Sequence, residues 1–369
     1  MIYLDHNATT PILPEVKEAV AQAVEVFANP SSTHAPGLKA RNLVEDAREQ
    51  TARLINARPD EIIFTSGGTF SNNLAIMGFA NRFPSGRIIC SAVEHPSVSN
   101  PLKHLQNRGF EIVTIPVDSC GRVVVQDVKN ALTPDAILIS VMHSNNETGA
   151  LQPLGEISRL SCSHGVILHT DAAQSVGKTP VDVNAPVVDM MTIAGHKLYA
   201  PKGVGALYVR RGIGLVRIVF GAGQERGLSP GTENVIHIAA LGKACEIARR
   251  DIDRRVQHAL KLTTLLYAKL REKIPGVKIN GDPLKTLSNT LNVTLPGVNA
   301  AALLEKLKDK IAASTAAACH CGETAPSSVL LAMGLSPQEA LSSIRFSVGV
   351  DNTQEDILRT VEFISEKHP

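Results

Sequence analysis

Short apolar runs alternate with helical stretches from about residue 12 to residue 210. Seven of these runs are rich in Val and Ile and are apolar along their length. Strands buried on both faces of a largely parallel sheet have this pattern. The runs are Glu61–Thr65, Arg87–Ser91, Glu111–Ile115, Ala136–Met142, Val166–Thr170, Asp189–Ala194 and Val204–Val209, and helices such as Pro36–Ile55 and Phe70–Arg82 lie between them. The pattern predicts an α/β fold with a mostly parallel seven-stranded sheet.

The pattern changes after a long helical tract, Glu233–Lys273, which we expect to be broken. Beyond it, strand-like runs and helical stretches mix without regular alternation. The strands are predicted at Ser288–Leu295 and Ser343–Val348, and the helices at Ala300–Lys308, Ser327–Met333 and Thr353–Lys367. The change predicts a boundary near residue 255. A large domain would cover residues 12–255, and a smaller α+β domain would combine residues 1–11 with 256–369.

Composition and charge exclude several classes of protein. The 37 Lys and Arg nearly balance the 35 Asp and Glu, for a net charge of +2, and no basic tract predicts a nucleic-acid partner. No apolar run is long enough to predict a membrane span. Six cysteines are too sparse for a disulfide framework, and the N-terminal residues do not resemble a secretion signal. We therefore expect a cytoplasmic protein.

Ser66-Gly67-Gly68-Thr69 follows a predicted strand and opens a predicted helix. The glycines let backbone amides approach a ligand closely, and a helix N-terminus favours an anion. The Thr69 hydroxyl adds a donor, so a phosphate would fit. An ordinary strand-to-helix turn is the alternative, and the spacing is not that of a dinucleotide fingerprint.

Two further strand ends carry ionisable groups. Asp171 follows an apolar strand and could hold a protonated ring nitrogen, or merely cap the next helix. Lys197 ends another strand, where burial would make its amine nucleophilic toward carbonyls, although a solvated loop lysine is common. Pyridoxal 5'-phosphate needs three anchors, one each for its phosphate, its ring nitrogen and its aldehyde. The glycine-rich turn, Asp171 and Lys197 together would supply them.

An ordered series of motifs runs from the N-terminus to about residue 350. It comprises Asp5-His6-Asn7-Ala8-Thr9-Thr10-Pro11, Asn29-Pro30-Ser31-Ser32, Thr65-Ser66-Gly67-Gly68-Thr69, Glu94-His95, Asn145-Asn146-Glu147-Thr148-Gly149, His169-Thr170-Asp171-Ala172-Ala173-Gln174, Gly195-His196-Lys197 and Pro230-Gly231-Thr232-Glu233-Asn234. With these motifs the chain resembles the cysteine desulfurases. That family belongs to the class V aminotransferase group of fold-type I pyridoxal phosphate enzymes.

The resemblance implies a role for each cofactor-binding residue. Lys197 would bind the aldehyde covalently, Asp171 would pair with the ring nitrogen, and Gln174 would hydrogen-bond the ring hydroxyl. His95 would stack on the ring and move protons. Gly68, Thr69 and His196 would hold the phosphate, with Thr232 reaching it from the partner subunit of a homodimer.

The same resemblance assigns residues to the substrate. Asn146 and Arg345 would bind the substrate, and Asn146 would also contact the cofactor. Arg345 would form a two-pronged contact with the substrate carboxylate. From the sequence alone, Arg345 would be taken as an edge-strand surface charge.

Cys319 matches the family's sulfur-accepting cysteine. It lies among small residues and a glycine, which suit a loop that carries a thiol into and out of a site. Its neighbour His320 could lower the thiol pKa, since the thiolate is the nucleophile. The alternative is a Cys-x-Cys metal or structural pair with Cys321, but no second pair completes such a site. Cys321 has no counterpart in the family motif.

Four positions depart from the family pattern. Phe70 replaces a Glu after the phosphate-binding Thr, and Ala194 replaces a Ser that would offer the phosphate a hydroxyl. Ser229 and Val350 each stand where an Arg is usual. None of these positions is an expected catalytic residue.

The resemblance implies an L-cysteine desulfurase that forms alanine and a persulfide on Cys319. The sulfur would pass to an acceptor or scaffold protein, for iron–sulfur clusters or for thio-cofactors and tRNA. A selenocysteine lyase shares nearly all these motifs and is the alternative. A protein that binds the cofactor but serves only as a platform for partners is a third hypothesis.

Overall fold

The computed structural model describes the backbone of residues 1–315, 318–320 and 323–368, and the side chains of residues 1–315 and 325–368. The helices are α1 Pro14–Val24, α2 Ala35–Leu54, α3 Gly68–Ala80, α4 Pro96–Gln106, α5 Val125–Ala131, α6 Leu154–His164, α7 Val235–Lys273, α8 Ala300–Leu307, α9 Ser328–Ala332, α10 Pro337–Leu341 and α11 Gln354–Lys367. The strands are β1 Ile2–Tyr3, β2 Ile62–Thr65, β3 Arg87–Ser91, β4 Glu111–Ile115, β5 Ala136–Ser140, β6 Ile167–Asp171, β7 Met190–Ala194, β8 Gly205–Val209, β9 Lys278–Ile279, β10 Thr290–Thr294, β11 Ile311–Ala312, β12 Ser314–Thr315, β13 Ala318–His320, β14 Glu323–Ala325 and β15 Ser343–Ser347.

The seven strands of the first half form one sheet in the order β2-β8-β7-β6-β5-β3-β4. Strands β3 to β7 pair in parallel, and β8 runs antiparallel to both of its neighbours. The mostly parallel seven-stranded sheet predicted from the apolar runs is confirmed. The strand ends differ from the prediction by one or two residues; β2, for example, begins at Ile62 because Pro59–Glu61 forms a 3-10 turn.

Both faces of this sheet are buried, which accounts for its apolar strands. Ile62 and Phe64 belong to the core under α2, α6 and the first half of α7. Ile63, between them in sequence, belongs to the opposite core under α3 and α4. Successive side chains of a strand point to opposite faces, so a run without polar positions is what two covered faces require.

Helix α7 is continuous over 39 residues, so the break expected in this tract is wrong. The tract contains no proline, and its one glycine, Gly242, packs so closely against α2 that an added Cβ would lie 2.5 Å from the Cα of Ala47. Glycine here permits contact between helices and does not end one. Residues of α7 up to Ala248 belong to the first core, and residues from Ala259 onward belong to a second core.

The second core lies against an antiparallel sheet of order β12-β15-β10-β9, covered by α8 and α11. The N-terminal residues Ile2 and Leu4 contribute to it, and β1 pairs in parallel with β11. The division of the chain at residue 255 lies between the α7 segments of the two cores and stays a prediction. Within the part of the chain described, no helix is both long and apolar enough to cross a membrane.

Candidate active site

A cavity of about 330 Å³ lies at the carboxyl ends of the parallel strands, where open α/β sheets bind ligands. Nine of the residues predicted for the site line it: Gly68, Thr69, His95, Asn146, Asp171, Gln174, His196, Lys197 and Arg345. They come from segments as far apart in sequence as α3 and β15. Of the predicted site residues whose side chains the structure describes, all except Thr232 thus meet in one cavity.

Lys197 and Asp171 face the same cavity from the ends of adjacent strands. Asp171 is the last residue of β6, and Lys197 ends the 3-10 turn that follows β7. Burial lowers the pKa of Lys197, Asp171 opposes that shift, and the Arg345 charge adds to it. Within the described residues the Lys197 amine makes no hydrogen bond. A desolvated amine without a partner is suited to attack a carbonyl.

Asn72 connects Asp171 to His95. Its Nδ2 donates to Oδ2 of Asp171 at 2.7 Å and to Oγ of Ser97 at 2.8 Å. The backbone N–H of Ser97 donates to Nδ1 of His95 at 3.1 Å, which leaves the ring proton of neutral His95 on Nε2. Burial and the Lys197 charge lower the pKa of His95. His95 is therefore held neutral and in one tautomer.

The glycine-rich turn forms a compact N-terminus for α3. Gly67 has φ of +145°, and an added Cβ at Gly68 would lie 3.3 Å from Cβ of Ala194. Thr69 and His196 line the cavity beside it. Burial and nearby lysines lower the pKa of His196 to about 4, so its ring is neutral at pH 7. This end of the cavity offers amide and hydroxyl donors at a helix N-terminus.

Gln174 belongs to a buried polar group with Lys178 and Asn7. The amine of Lys178 donates to Oε1 of Gln174 at 2.8 Å and to Oδ1 of Asn7 at 2.9 Å. Nε2 of Gln174 donates to the carbonyl of Asn7 at 2.9 Å. Gln174 and Asn7 both line the cavity, and Lys178 lies behind them with its side chain buried.

Arg345 enters the cavity from β15 in the second core. Its Nη1 donates to the carbonyl of Asn146 at 2.8 Å, and its Nη2 contacts Oδ1 of Asp5 at 2.6 Å. Its Nε is buried without a partner among the described residues. The surface-charge interpretation of Arg345 is wrong, because the side chain is only 8% exposed and carries an unused donor.

Thr232 does not line the cavity. Thr232 is exposed in the segment before α7, so its predicted contact requires a second copy of the chain. The backbone of Cys319 lies in β13, which pairs with β14 as a hairpin within the predicted loop. The side chain of Cys319 and the whole of Cys321 lie outside the described residues, so their roles stay predictions. Across the residues that are described, no cluster of His, Cys, Asp or Glu is suited to a metal.

The departures from the family pattern have local explanations at three positions. Phe70 packs against the α3–α4 core, and Ala194 lines the cavity with a methyl group in place of a hydroxyl. The backbone N–H of Val350 donates to the Tyr199 hydroxyl at 3.0 Å. Nothing in the structure explains Ser229.

The residues present fit pyridoxal 5'-phosphate. A helix N-terminus with two glycines at one end suits a dianionic phosphate. Asp171 at the other end is held by amides from Asn72 and Ala173, and it suits a protonated ring nitrogen. Lys197 lines the same cavity with a free amine to take the aldehyde. The donor at each position matches the chemistry of the group.

Five residues that support the site were given no role from the sequence, namely Asp5, Asn7, Asn72, Ser97 and Lys178. Asn72 had a signal, because it lies one helical turn after Thr69 on the same helix. Lys178 had a similar signal, because it lies four residues after Gln174 in a stretch of small and apolar residues. Both are polar residues buried on segments that carry predicted site residues.

Comparison with known proteins gives a consistent result. Residues 2–360 match the family model Aminotransferase class-V. The chain is similar to "Cysteine desulfurase IscS" of Dictyoglomus turgidum, with 41% identity over 98% of this chain and 93% of that protein. A solved structure named NifS-like protein superposes with a TM-score of 0.93 at 33% identity, covering 99% of this chain and 98% of that one. SspA in complex with cysteine superposes with a TM-score of 0.83 at 35% identity, covering 94% and 99%.

Proposed function

The chain belongs to the class-V aminotransferase family, and from that membership we propose that it is a pyridoxal phosphate-dependent L-cysteine desulfurase. The observation that supports this most strongly is the single cavity shared by Lys197, Asp171, His95 and Arg345. A carbonyl-reactive amine, a ring-nitrogen partner, a histidine that can transfer protons and a carboxylate receptor are the four groups such an enzyme needs.

When bound, pyridoxal phosphate supplies an electron sink for the substrate's Cα–H and Cβ–S bonds. Lys197 would hold its aldehyde, Asp171 its ring nitrogen, Gln174 its ring hydroxyl, and Gly68, Thr69 and His196 its phosphate. His95, which lines the cavity, is neutral with Nδ1 occupied by Ser97, so its proton on Nε2 would be the one available for transfer. Arg345 and Asn146 orient the substrate through its carboxylate.

Cys319 would receive the sulfur. Its thiolate attacks the substrate Sγ, an S–S bond forms as the Cβ–Sγ bond breaks, and Cβ takes a proton to give L-alanine. The products are alanine and a Cys319 persulfide, so atoms and electrons balance. Selenocysteine lyase is the less favoured alternative, since the relative from Dictyoglomus turgidum is named a cysteine desulfurase and SspA, which has a similar fold, is solved in complex with cysteine.

A homodimer and an acceptor protein complete the proposal. Thr232 is exposed here and would reach the cavity of the partner subunit. Exposed Phe220, at 81%, and Val219, at 43%, lie in the same segment and provide apolar surface for such a contact. The persulfide sulfur would pass to an acceptor or scaffold protein in the cytoplasm, for iron–sulfur clusters or thio-cofactors.

The experiment measures alanine release by the purified protein with L-cysteine and with L-selenocysteine at equal concentration. Lys197→Ala should abolish release from L-cysteine, and borohydride reduction of the unmodified protein should fix a pyridoxyl group on the Lys197 peptide. Lys129→Ala, an exposed lysine on α5, is the matched control. Normal alanine production by Lys197→Ala would contradict the cofactor assignment. Preference for selenocysteine would move the function to the alternative.

A further inference from the structure

Lys178 is a buried lysine with no ion-pair partner among the described residues, and it is only 8% exposed. Its two acceptors are the side-chain amides of Gln174 and Asn7. Burial lowers its pKa well below the usual range, as do the charges of Lys197 and Arg345, while Asp5 opposes the shift. Burying an amine costs free energy of folding, so a buried lysine that contacts two cavity residues points to a role in the site.

The geometry fixes the orientation of both amides. A charged lysine amine can only donate, a neutral one still has two N–H groups for the two contacts, and the nitrogen of each amide is held by a backbone carbonyl. Oε1 of Gln174 and Oδ1 of Asn7 must therefore face Lys178. At their other ends, Nε2 of Gln174 donates to the carbonyl of Asn7, and Nδ2 of Asn7 donates to the carbonyl of Asn146 at 3.3 Å and to Oγ1 of Thr290 at 2.8 Å.

Each amide thus accepts from the Lys178 amine at one end and donates to a backbone carbonyl, which can only accept, at the other. A flipped Gln174 would place two donors against each other at Lys178 and two acceptors against each other at Asn7. The second N–H of Gln174 Nε2 has no partner within the described residues and remains for the cavity. In this orientation Gln174 offers a ligand in the cavity an N–H donor.

We propose that Lys178 is a positioning residue that makes Gln174 a donor to the bound cofactor. This rests on the proposed function, in which Gln174 meets the ring hydroxyl oxygen. A donor at that oxygen stabilises its deprotonated, negatively charged form, since hydrogen bonds to charged groups are the stronger ones. Lys178 touches no ligand itself and acts through the Gln174 amide.

The test is a double-mutant cycle on the dissociation constant of pyridoxal 5'-phosphate, titrated into cofactor-free protein. Lys178→Met keeps the chain length and removes the donors. We expect Lys178→Met and Gln174→Ala each to weaken binding by on the order of tenfold. The double variant should bind no more weakly than either single variant, because both remove one donor. Lys129→Met is the matched control and should leave the constant unchanged.

Three outcomes separate the hypotheses. Losses that multiply in the double variant, or a Lys178→Met protein that binds normally, overturn the role of Lys178. Failure of the unmodified protein to bind pyridoxal phosphate overturns the proposed function. If Lys178→Met does not fold, Lys178→Gln, whose side chain is one atom shorter than that of lysine, replaces it, and pyridoxal phosphate binding as tight as that of the unmodified protein again overturns the role. A crystal structure of the folded variant should show the Gln174 amide rotated.

Discussion

Nη2 of Arg345 lies 2.6 Å from Oδ1 of Asp5, so the segment that follows β1 meets β15, a strand near the end of the chain, beside the cavity. The contact joins residues 340 positions apart. Together with the carbonyl of Asn146, Asp5 fixes the plane of the guanidinium before any substrate arrives. The Nε–H, which is buried and unpartnered among the described residues, remains for a ligand. Preorganisation of this kind lowers the entropic cost of binding a carboxylate.

Arg345→Lys should reduce kcat/KM for L-cysteine by about ten- to a hundredfold, mostly through KM. Lysine keeps the charge but loses the planar fork, so one charge-assisted hydrogen bond worth about 1.5–3 kcal/mol is lost. Steady-state alanine release measures the effect. Arg271→Lys, on the exposed end of α7, is the control. An unchanged KM would remove Arg345 from the carboxylate site.

Asp171→Ala should leave the fold intact and slow turnover far more than it weakens substrate binding. The carboxylate keeps the ring nitrogen protonated, and without it the electron sink is lost, at a cost on the order of several kcal/mol in the barrier. Single-turnover kinetics with L-cysteine measure the chemical step, and circular dichroism checks the fold. A rate within about tenfold of the unmodified protein would contradict the role.

The cysteine that accepts sulfur can be identified by mass. After incubation with L-cysteine, the peptide that contains Cys319 and Cys321 should carry one extra sulfur. The extra mass should disappear in Cys319→Ala and persist in Cys321→Ala, because only Cys319 matches the acceptor position. Cys319→Ala should also lose cysteine turnover, while some selenocysteine breakdown can persist, since selenium departs more easily. The opposite labelling pattern would move the nucleophile to Cys321.

Stability should fall in mild acid partly because of His169. This residue is fully buried under the site, its ring nitrogens meet Ser140 and Thr192, and burial lowers its pKa to about 4. Between pH 6.5, which is about the ordinary pKa of histidine, and pH 4, this histidine binds a proton in the unfolded chain but not in the folded chain. The contribution is therefore fully present above pH 6.5 and is lost progressively as the pH falls toward 4.

The measurement is the free energy of unfolding in urea at pH 7 and pH 5. His169→Gln should lose about 2 kcal/mol less than the unmodified protein between these values, at about 1.4 kcal/mol for each pH unit below 6.5. His164→Gln, an exposed histidine at the end of α6, is the control. Equal losses in all three proteins would show that His169 does not titrate as proposed.

The sheet could be predicted from the sequence because strands buried on both faces are apolar along their length. The sequence also placed Asp171 and Lys197 at strand ends, where topology brings them to one edge. It did not predict that Arg345 is buried, because β15 looks like an edge strand and its neighbour in space, Asp5, lies at the other end of the chain. It missed Asn72 and Lys178 because a polar residue shows its buried partners only after the segments are packed. The prediction of a break in α7 was wrong for a related reason. The charged stretch 249–258 separates two apolar helical stretches in the sequence, and only the packed structure shows that one helix continues through it.

Helix α7 also sets the rotational phase between the two hydrophobic cores, since its first part is packed in one and its last part in the other. Each residue of an α-helix advances the chain by about 100° and 1.5 Å. A single-residue insertion in the stretch 249–258 would swing Ala259, Leu262 and Leu266 away from the second core. Four inserted residues would nearly restore the angle but lengthen the spacing by about 6 Å, and Arg345 would be carried away from Lys197. The number of residues in this stretch is thus a structural constraint on the catalytic cavity some distance away.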